Sequence, residues 1–153
     1  MKNKFGFILV KPQLGENIGA CARSLKNFGF SNLKIVSPKQ SWPNNKAKAM
    51  SVGAIDIIKK AKIYNNVSDA INDFNIIFSL SARERDINKK HISINQFLKI
   101  IKSKKKSKFG FLFGPESSGL SNEDLSYSNY ILKIPTSKNF KSLNLSHSLT
   151  IIC

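Results

Sequence analysis

An α/β fold is predicted for this chain: a mostly parallel sheet with helices on both faces, closed as one domain. Three observations carry the prediction. Short apolar runs alternate with helical patterns throughout, the order that builds βαβ units. The clearest run, Phe109–Phe113, is apolar without alternation, as a strand buried on both faces of a parallel sheet requires. The 153 residues suffice for one full hydrophobic core, with no internal repeat or linker to divide them.

In order, Phe5–Val10 reads as the first strand, and Ile18–Phe28, closed by Gly29, as the first helix, with Asn17 placed to cap it. Leu33–Val36 is the second strand. The segment Ser37–Asn45, with two prolines and the only tryptophan, is an irregular surface loop. A helix is predicted over roughly Ala47–Lys60, a weaker strand near Ala61–Tyr64, a helix over Ser68–Asp73 and a strand over Phe74–Leu80. The helix Ser93–Ser103 precedes the strand Phe109–Phe113. Ser121 and Asp124 then read as an N-cap and its N3 partner, opening a short helix to Ser126. Tyr130–Ile134 is the last strand, and a final helix begins near Leu145.

The charge is the unusual part of the composition. Twenty-five Lys and Arg stand against nine Asp and Glu, a net charge of +16. A coding bias towards A and T would raise Lys, Asn and Ile, but it would also favour the acidic codons, which are scarce. The imbalance therefore points to a polyanionic partner such as RNA rather than to a membrane surface, because no long basic amphipathic helix is present. Cys21 and Cys153 have no metal-ligand spacing and no disulfide framework, which predicts a reducing, cytoplasmic location and no metal site. The apolar part of MKNKFGFILV ends at Lys11, short for a signal peptide, and no segment is long enough to cross a bilayer.

Four stretches are candidates for chemistry. In Phe113-Gly114-Pro115-Glu116-Ser117-Ser118-Gly119-Leu120, an acid sits in a Gly/Pro turn just past a buried strand, where an open α/β sheet places its ligands; an incidental turn is the competing reading. After the first strand, Gly19, Ala20, Cys21 and Ala22 give the helix a thin face that backbone or ligand approaches closely. Arg23, in its second turn, reads either as a surface charge or as a side chain reaching into a site. Ser79-Leu80-Ser81-Ala82-Arg83-Glu84-Arg85 leaves a strand with small polar residues and two arginines suited to phosphates, or is an exposed loop. Ile134-Pro135 leads to Ser142-Leu143-Asn144-Leu145-Ser146, where Asn144 or Ser146 caps the last helix. Five lysines between Lys102 and Lys108 form a solvated helix end or an RNA contact. A dinucleotide fold is disfavoured, since Gly15 and Gly19 do not make G-x-G-x-x-G and no Walker pattern occurs. A serine hydrolase is equally disfavoured: Ser117 is outside any G-x-S-x-G elbow, and His91 and His147 are the only histidines.

Taken together, Asn17–Arg23, Phe113–Leu120, and Ile134-Pro135 with Ser142–Ser146 resemble, in order, the three motifs of the TrmH/TrmJ-like branch of SPOUT RNA methyltransferases. SVGAIDIIKKAKIY and SLSARERD resemble the TrmJ subgroup; a TrmL-like wobble enzyme and an rRNA methyltransferase are the alternatives. The resemblance implies a single SPOUT domain over 1–153 with a C-terminal trefoil knot, S-adenosylmethionine as methyl donor, a tRNA ribose 2′-hydroxyl at the first anticodon-loop nucleotide as acceptor, and a homodimer with sites at the subunit interface. By resemblance the donor lies against Leu80, Ser81, Ala82, Gly114, Ile134, Ser142, Leu143 and Asn144, and Arg23, Asn17, Glu116 and Asn144 serve catalysis. Arg23, Arg83, Arg85, Lys104, Lys105 and Lys106 are expected to meet RNA. Measured against the resemblance, the last helix, ending at Cys153, is expected to be short for the family, and the chain is expected to lack the RNA-binding extension of longer TrmJ proteins. A non-catalytic RNA-binding module with this fold is the rival from another class.

Overall fold

The computed structural model describes residues 2–82 and 88–153. Seven strands form one sheet: β1 (Phe5–Val10), β2 (Leu33–Val36), β3 (Lys62–Tyr64), β4 (Ile76–Leu80), β5 (Lys90–Ile92), β6 (Phe109–Phe113) and β7 (Tyr130–Leu132). Their order is β3-β2-β1-β6-β4-β7-β5, and every pairing is parallel. All carboxyl ends therefore share one edge. The helices are α1 (Gly15–Asn27), α2 (Asn45–Ser51), α3 (Ile55–Lys60), α4 (Val67–Ile71), α5 (Ile94–Ser103), α6 (Asn122–Ser126) and α7 (Leu145–Ile152). The chain runs out to the edge at β5, back to the centre at β6, and out again so that β7 fills the place between β4 and β5. α7 then packs on α1, where the Ser24 and Thr150 hydroxyls lie 2.7 Å apart.

Burial on both faces explains the unbroken apolar runs. Along β1, Phe7 and Leu9 enter the core shared with α1, α3 and α7, while Ile8 and Val10 enter the core shared with α4 and α6. An aromatic row crosses the first face: Phe7 and Phe111 are 5.3 Å apart between ring centroids, Phe78 and Phe111 5.6 Å, and Phe78 and Tyr130 5.6 Å. The facing glycines, Gly6 and Gly110, make room for Phe74; a Cβ on Gly6 would stand 2.0 Å from the Phe74 ring. Phe74 is thus a plug over the sheet rather than part of a strand, and β4 starts at Ile76, later than the sequence indicated.

Four further expectations are corrected. The helix over Ala47–Lys60 is two, broken where Val52 and Gly53 both take positive φ. β7 ends at Leu132, because Lys133 donates its amide to Ile92 and the chain turns away. β5 was not foreseen: it is three residues long, with only Ile92 buried. α1 begins at Gly15, so Asn17 lies inside its first turn and does not cap it, and Arg23 falls in the third turn rather than the second. The capping box Ser121/Asp124 is present, and Ser93 caps α5 with Gln96. Among the described residues no helix is long and apolar enough to cross a membrane.

Candidate active site at the carboxyl edge

The strand ends Leu80 (β4), Phe113 (β6) and Leu132 (β7) open into a cavity of about 560 Å³. The turn after β6 and the loop between β7 and α7 complete its walls. That turn depends on glycine. A Cβ on Gly114 would meet the Leu120 amide nitrogen at 2.2 Å, and Gly119 sits at φ 69°. Seven of the eight residues expected against the donor line this one space: Leu80, Ser81, Ala82, Gly114, Ile134, Ser142 and Leu143. Asn144 stands behind it as the N-cap of α7, its Oδ1 accepting the Ser146 amide at 2.9 Å. Among the described residues, Glu116 and Lys141 are the only ionisable side chains in the lining.

Glu116 ties the cavity wall to α1. Its Oε2 accepts the Gln13 amide at 2.8 Å, and its Oε1 accepts the Leu14 amide at 3.3 Å and Asn17 Nδ2 at 2.9 Å. Leu14, the residue at the helix start, offers no side-chain cap; Gln40 Oε1 accepts the first helical amide, Gly15, at 3.0 Å, and Glu116 takes the Gln13 and Leu14 amides just before it. Gln13 reciprocates, its Oε1 accepting the Ser117 amide at 2.8 Å. Asn17 passes the chain on: its Oδ1 accepts Asn144 Nδ2 at 3.1 Å. Three expected residues, Asn17, Glu116 and Asn144, are thereby joined through hydrogen bonds. Gln13, Thr136 and Lys141 belong to the same surroundings and were not foreseen. Gln13 had a usable signal in its place between Pro12 and the start of α1.

Other expected residues lie elsewhere. Arg23 is exposed, is absent from the cavity lining, and makes no hydrogen bond or ion pair among the described residues. Six residues of helix turn its direction about 120° from that of Asn17. Lys104, Lys105 and Lys106 are exposed before β6, at the amino edge, a strand length of about 16 Å from the cavity's side of the sheet. Arg83 and Arg85 lie outside the described residues. The thin face of α1 meets backbone rather than ligand: a Cβ on Gly19 would be 2.4 Å from the Ala47 carbonyl oxygen of α2.

Neither thiol is poised for chemistry. Burial, followed by the nearby charges of Glu116 and Cys153, pushes Cys21 far above the usual thiol range, and burial raises Cys153 to about 12. Among the described residues no cluster of His, Cys, Asp or Glu is arranged to hold a metal.

The profile of the SpoU rRNA Methylase family matches residues 4–153. A tRNA (cytidine-2'-O-)-methyltransferase TrmJ of Methanocaldococcus jannaschii is 39% identical over 152 residues, which cover 95% of this chain and 64% of that protein. A tRNA (cytidine/uridine-2'-O-)-methyltransferase TrmJ of Sodalis glossinidius is 31% identical, with 99% and 60% covered. The crystal structure of TrmJ from Z. mobilis ZM4 has a TM-score of 0.90 and 34% identity over 96% of this chain and 66% of that one. The chain therefore spans less than two thirds of these curated relatives. Matched by the family profile from residue 4 to residue 153, and sharing its fold with the Z. mobilis protein, this chain belongs to the SpoU methylase family.

Proposed function

We propose that the chain transfers the methyl group of S-adenosylmethionine to a ribose 2′-hydroxyl of tRNA, at the first nucleotide of the anticodon loop. The observation that carries this reading is the cavity, which gathers from three strand ends and two loops seven residues assigned to the donor by resemblance. The lining suits that donor. Leu80, Leu132, Ile134 and Leu143 offer an apolar slot for an adenine, while Ser81, Thr136 and Ser142 offer hydroxyls to its polar groups. When bound, S-adenosylmethionine supplies a methyl group made electrophilic by its sulfonium.

The protein's part is orientation and electrostatics. Glu116 acts as an orienting acceptor: its carboxylate already receives three hydrogen bonds and holds the start of α1 against the cavity wall. Asn17 and Asn144 extend that bracing to α7. Arg23 donates to the developing alkoxide and to the adjoining phosphate; it is no base, because a guanidinium stays protonated in proteins. Since it points away from its own chain's cavity, Arg23 serves the cavity of a second copy, and a homodimer is the working form. The trefoil threading implied by the family would be made by the crossings between β6, β7 and α7. The excess positive charge suits tRNA, and the substrate together with two free thiols suits the cytoplasm.

Two measurements test the reading. Calorimetry is expected to detect S-adenosylhomocysteine binding, and tritiated methyl groups are expected to enter unmodified tRNA as a 2′-O-methyl at the start of the anticodon loop. A folded protein that binds no S-adenosylhomocysteine would instead be an RNA-binding module. Methylation at the wobble nucleotide would move it to the TrmL-like subgroup.

A further inference from the structure

A second cleft, of about 690 Å³, lies beside the first on the same edge of the sheet and shares Thr136 and Lys141 with it. Its lining includes His91, Lys133, Lys138 and Lys141 and, among the described residues, no carboxylate. Ser93 also lines it. Ser93 is the N-cap of α5, so the partially positive end of a ten-residue helix borders the cleft. Above this basic floor runs the loop between β7 and α7. The loop is pinned at both ends, by the Lys133 amide on the Ile92 carbonyl at 3.2 Å and by Asn144 on Asn17 at 3.1 Å. Between the pins, in Lys138-Asn139-Phe140-Lys141, Phe140 is 76% exposed, the most exposed large apolar side chain among the described residues.

An exposed aromatic ring set between lysines, over a cleft whose described charged side chains are all basic, is the arrangement that binds single-stranded nucleic acid. The ring takes a base and the ammonium groups take the phosphates on either side. A two-fold contact between copies at this surface would set Lys138 and Lys141 against their own counterparts, so a second copy is a poor occupant here. We propose that this loop is a stacking platform for RNA. Phe140 stacks on an unpaired base beside the target nucleotide, Lys138 and Lys141 hold its flanking phosphates, and the His91–Ser93 cleft guides the backbone towards the donor cavity. The platform rests on the RNA reading above. It differs from that reading in naming where the strand lies, and it predicts sequence-tolerant contact because every base presents a face to stack.

The test is fluorescence anisotropy with a short labelled oligouridylate and with an abasic ribose-phosphate oligomer of equal length, both without methyl donor. Phe140→Ala is expected to weaken oligouridylate binding about 5- to 100-fold, the loss of one stacked base, and to leave the abasic oligomer unaffected. Phe140→Trp is expected to restore binding. The double variant Lys138→Gln/Lys141→Gln should bind both oligomers more weakly and flatten the slope of log affinity against log salt by about 1.4, or 0.7 for each phosphate no longer neutralised. Unchanged S-adenosylhomocysteine binding by Phe140→Ala certifies an intact cavity. Wild-type affinity of Phe140→Ala for oligouridylate overturns the platform, as does an equal loss on the abasic oligomer. So does a Phe140→Ala protein that sediments as a smaller species while binding RNA normally, since the ring would then belong to a contact between copies. If the wild-type protein methylates tRNA while Phe140→Ala binds normally, only the platform falls. If the wild-type protein binds neither tRNA nor oligouridylate, the RNA reading falls with it.

Discussion

Glu116→Gln separates an orienting carboxylate from a proton acceptor. Gln is nearly isosteric, but one of its two terminal atoms is a donor. If the amide oxygen takes the Oε1 place, the bonds from Leu14 and Asn17 survive, and the new NH2 faces the Gln13 amide across what was a 2.8 Å bond. If it takes the Oε2 place, Asn17 and Leu14 lose their acceptor instead. Either way at least one hydrogen bond to an ionised group is lost, worth about 1.5–3 kcal/mol, and a charge at a helix N-terminus, worth about 0.3–1 kcal/mol. A total of about 2–4 kcal/mol in a domain of this size lowers Tm by about 5–15 °C. The assay is a thermal melt run beside methyl incorporation and S-adenosylhomocysteine titration. A variant that melts with the wild type and binds donor normally, yet has lost methyl transfer, would refute the bracing role and return Glu116 to proton transfer.

Arg23→Ala is expected to keep its Tm and donor binding while methyl transfer falls about 100- to 1000-fold, with poor rescue by Lys. On the proposal that Arg23 serves a second copy, mixing Arg23→Ala with a cavity-filling Ile134→Trp chain should restore about a quarter of the wild-type sites, and no recovery in refolded mixtures would put Arg23 to work in its own chain. Asp73→Asn probes the buried Lys34, which is 3% exposed, gives a hydrogen bond to the Ala70 carbonyl at 2.7 Å and pairs with Asp73. Desolvation raises the Asp73 pKa, but the hydrogen bond and charge of Lys34 outweigh it and hold the group below its ordinary value. A depressed carboxylate stabilises the fold above its unfolded pKa of about 4 and loses that contribution as pH falls through the lower folded value. After discounting for a half-exposed carboxylate, the variant should be about 1 kcal/mol less stable at neutral pH and should converge on the wild type in acid; a gap of constant size would deny the pairing any role.

The fold was legible wherever local rules and burial agreed. Phe109–Phe113, the glycine turn after it and the Ser121/Asp124 box each ask for the structure they adopt, and so does the apolar run of β1. β5 was illegible because Lys90 and His91 are exposed and its only partner among the described residues, β7, lies far along the chain. The break after Ser51 was hidden by Val52, a residue that seldom takes positive φ, although Gly53 beside it does so readily. Of the cavity lining, Gly114, Ile134, Ser142 and Leu143 were legible from the ordered motifs and Leu80, Ser81 and Ala82 from the segment SLSARERD. Thr136 and Lys141 were not, because they sit in an irregular loop whose path follows from both of its pinned ends.

The misplacement of Asn17 carries the deeper lesson about this site. Asn before an apolar periodic run is a sound N-cap signal, yet α1 opens three residues earlier, after a leucine whose side chain caps nothing. The missing local cap is supplied from afar, by Gln40 on the Gly15 amide and Glu116 on the Leu14 amide, and the Asn17 side chain bridges Glu116 and Asn144. Asn144 in turn caps α7. The starts of two helices and the turn after β6 thus complete one another, and none of the three motifs satisfies its own polar groups alone. This is why each motif is unremarkable as a local pattern and informative only in company. It also accounts for Arg23, which belongs to the first motif in sequence but not to this network. A residue held by none of the polar groups that organise the cavity, and turned away from it on the same helix, is for that reason the one we propose for the cavity of a second copy.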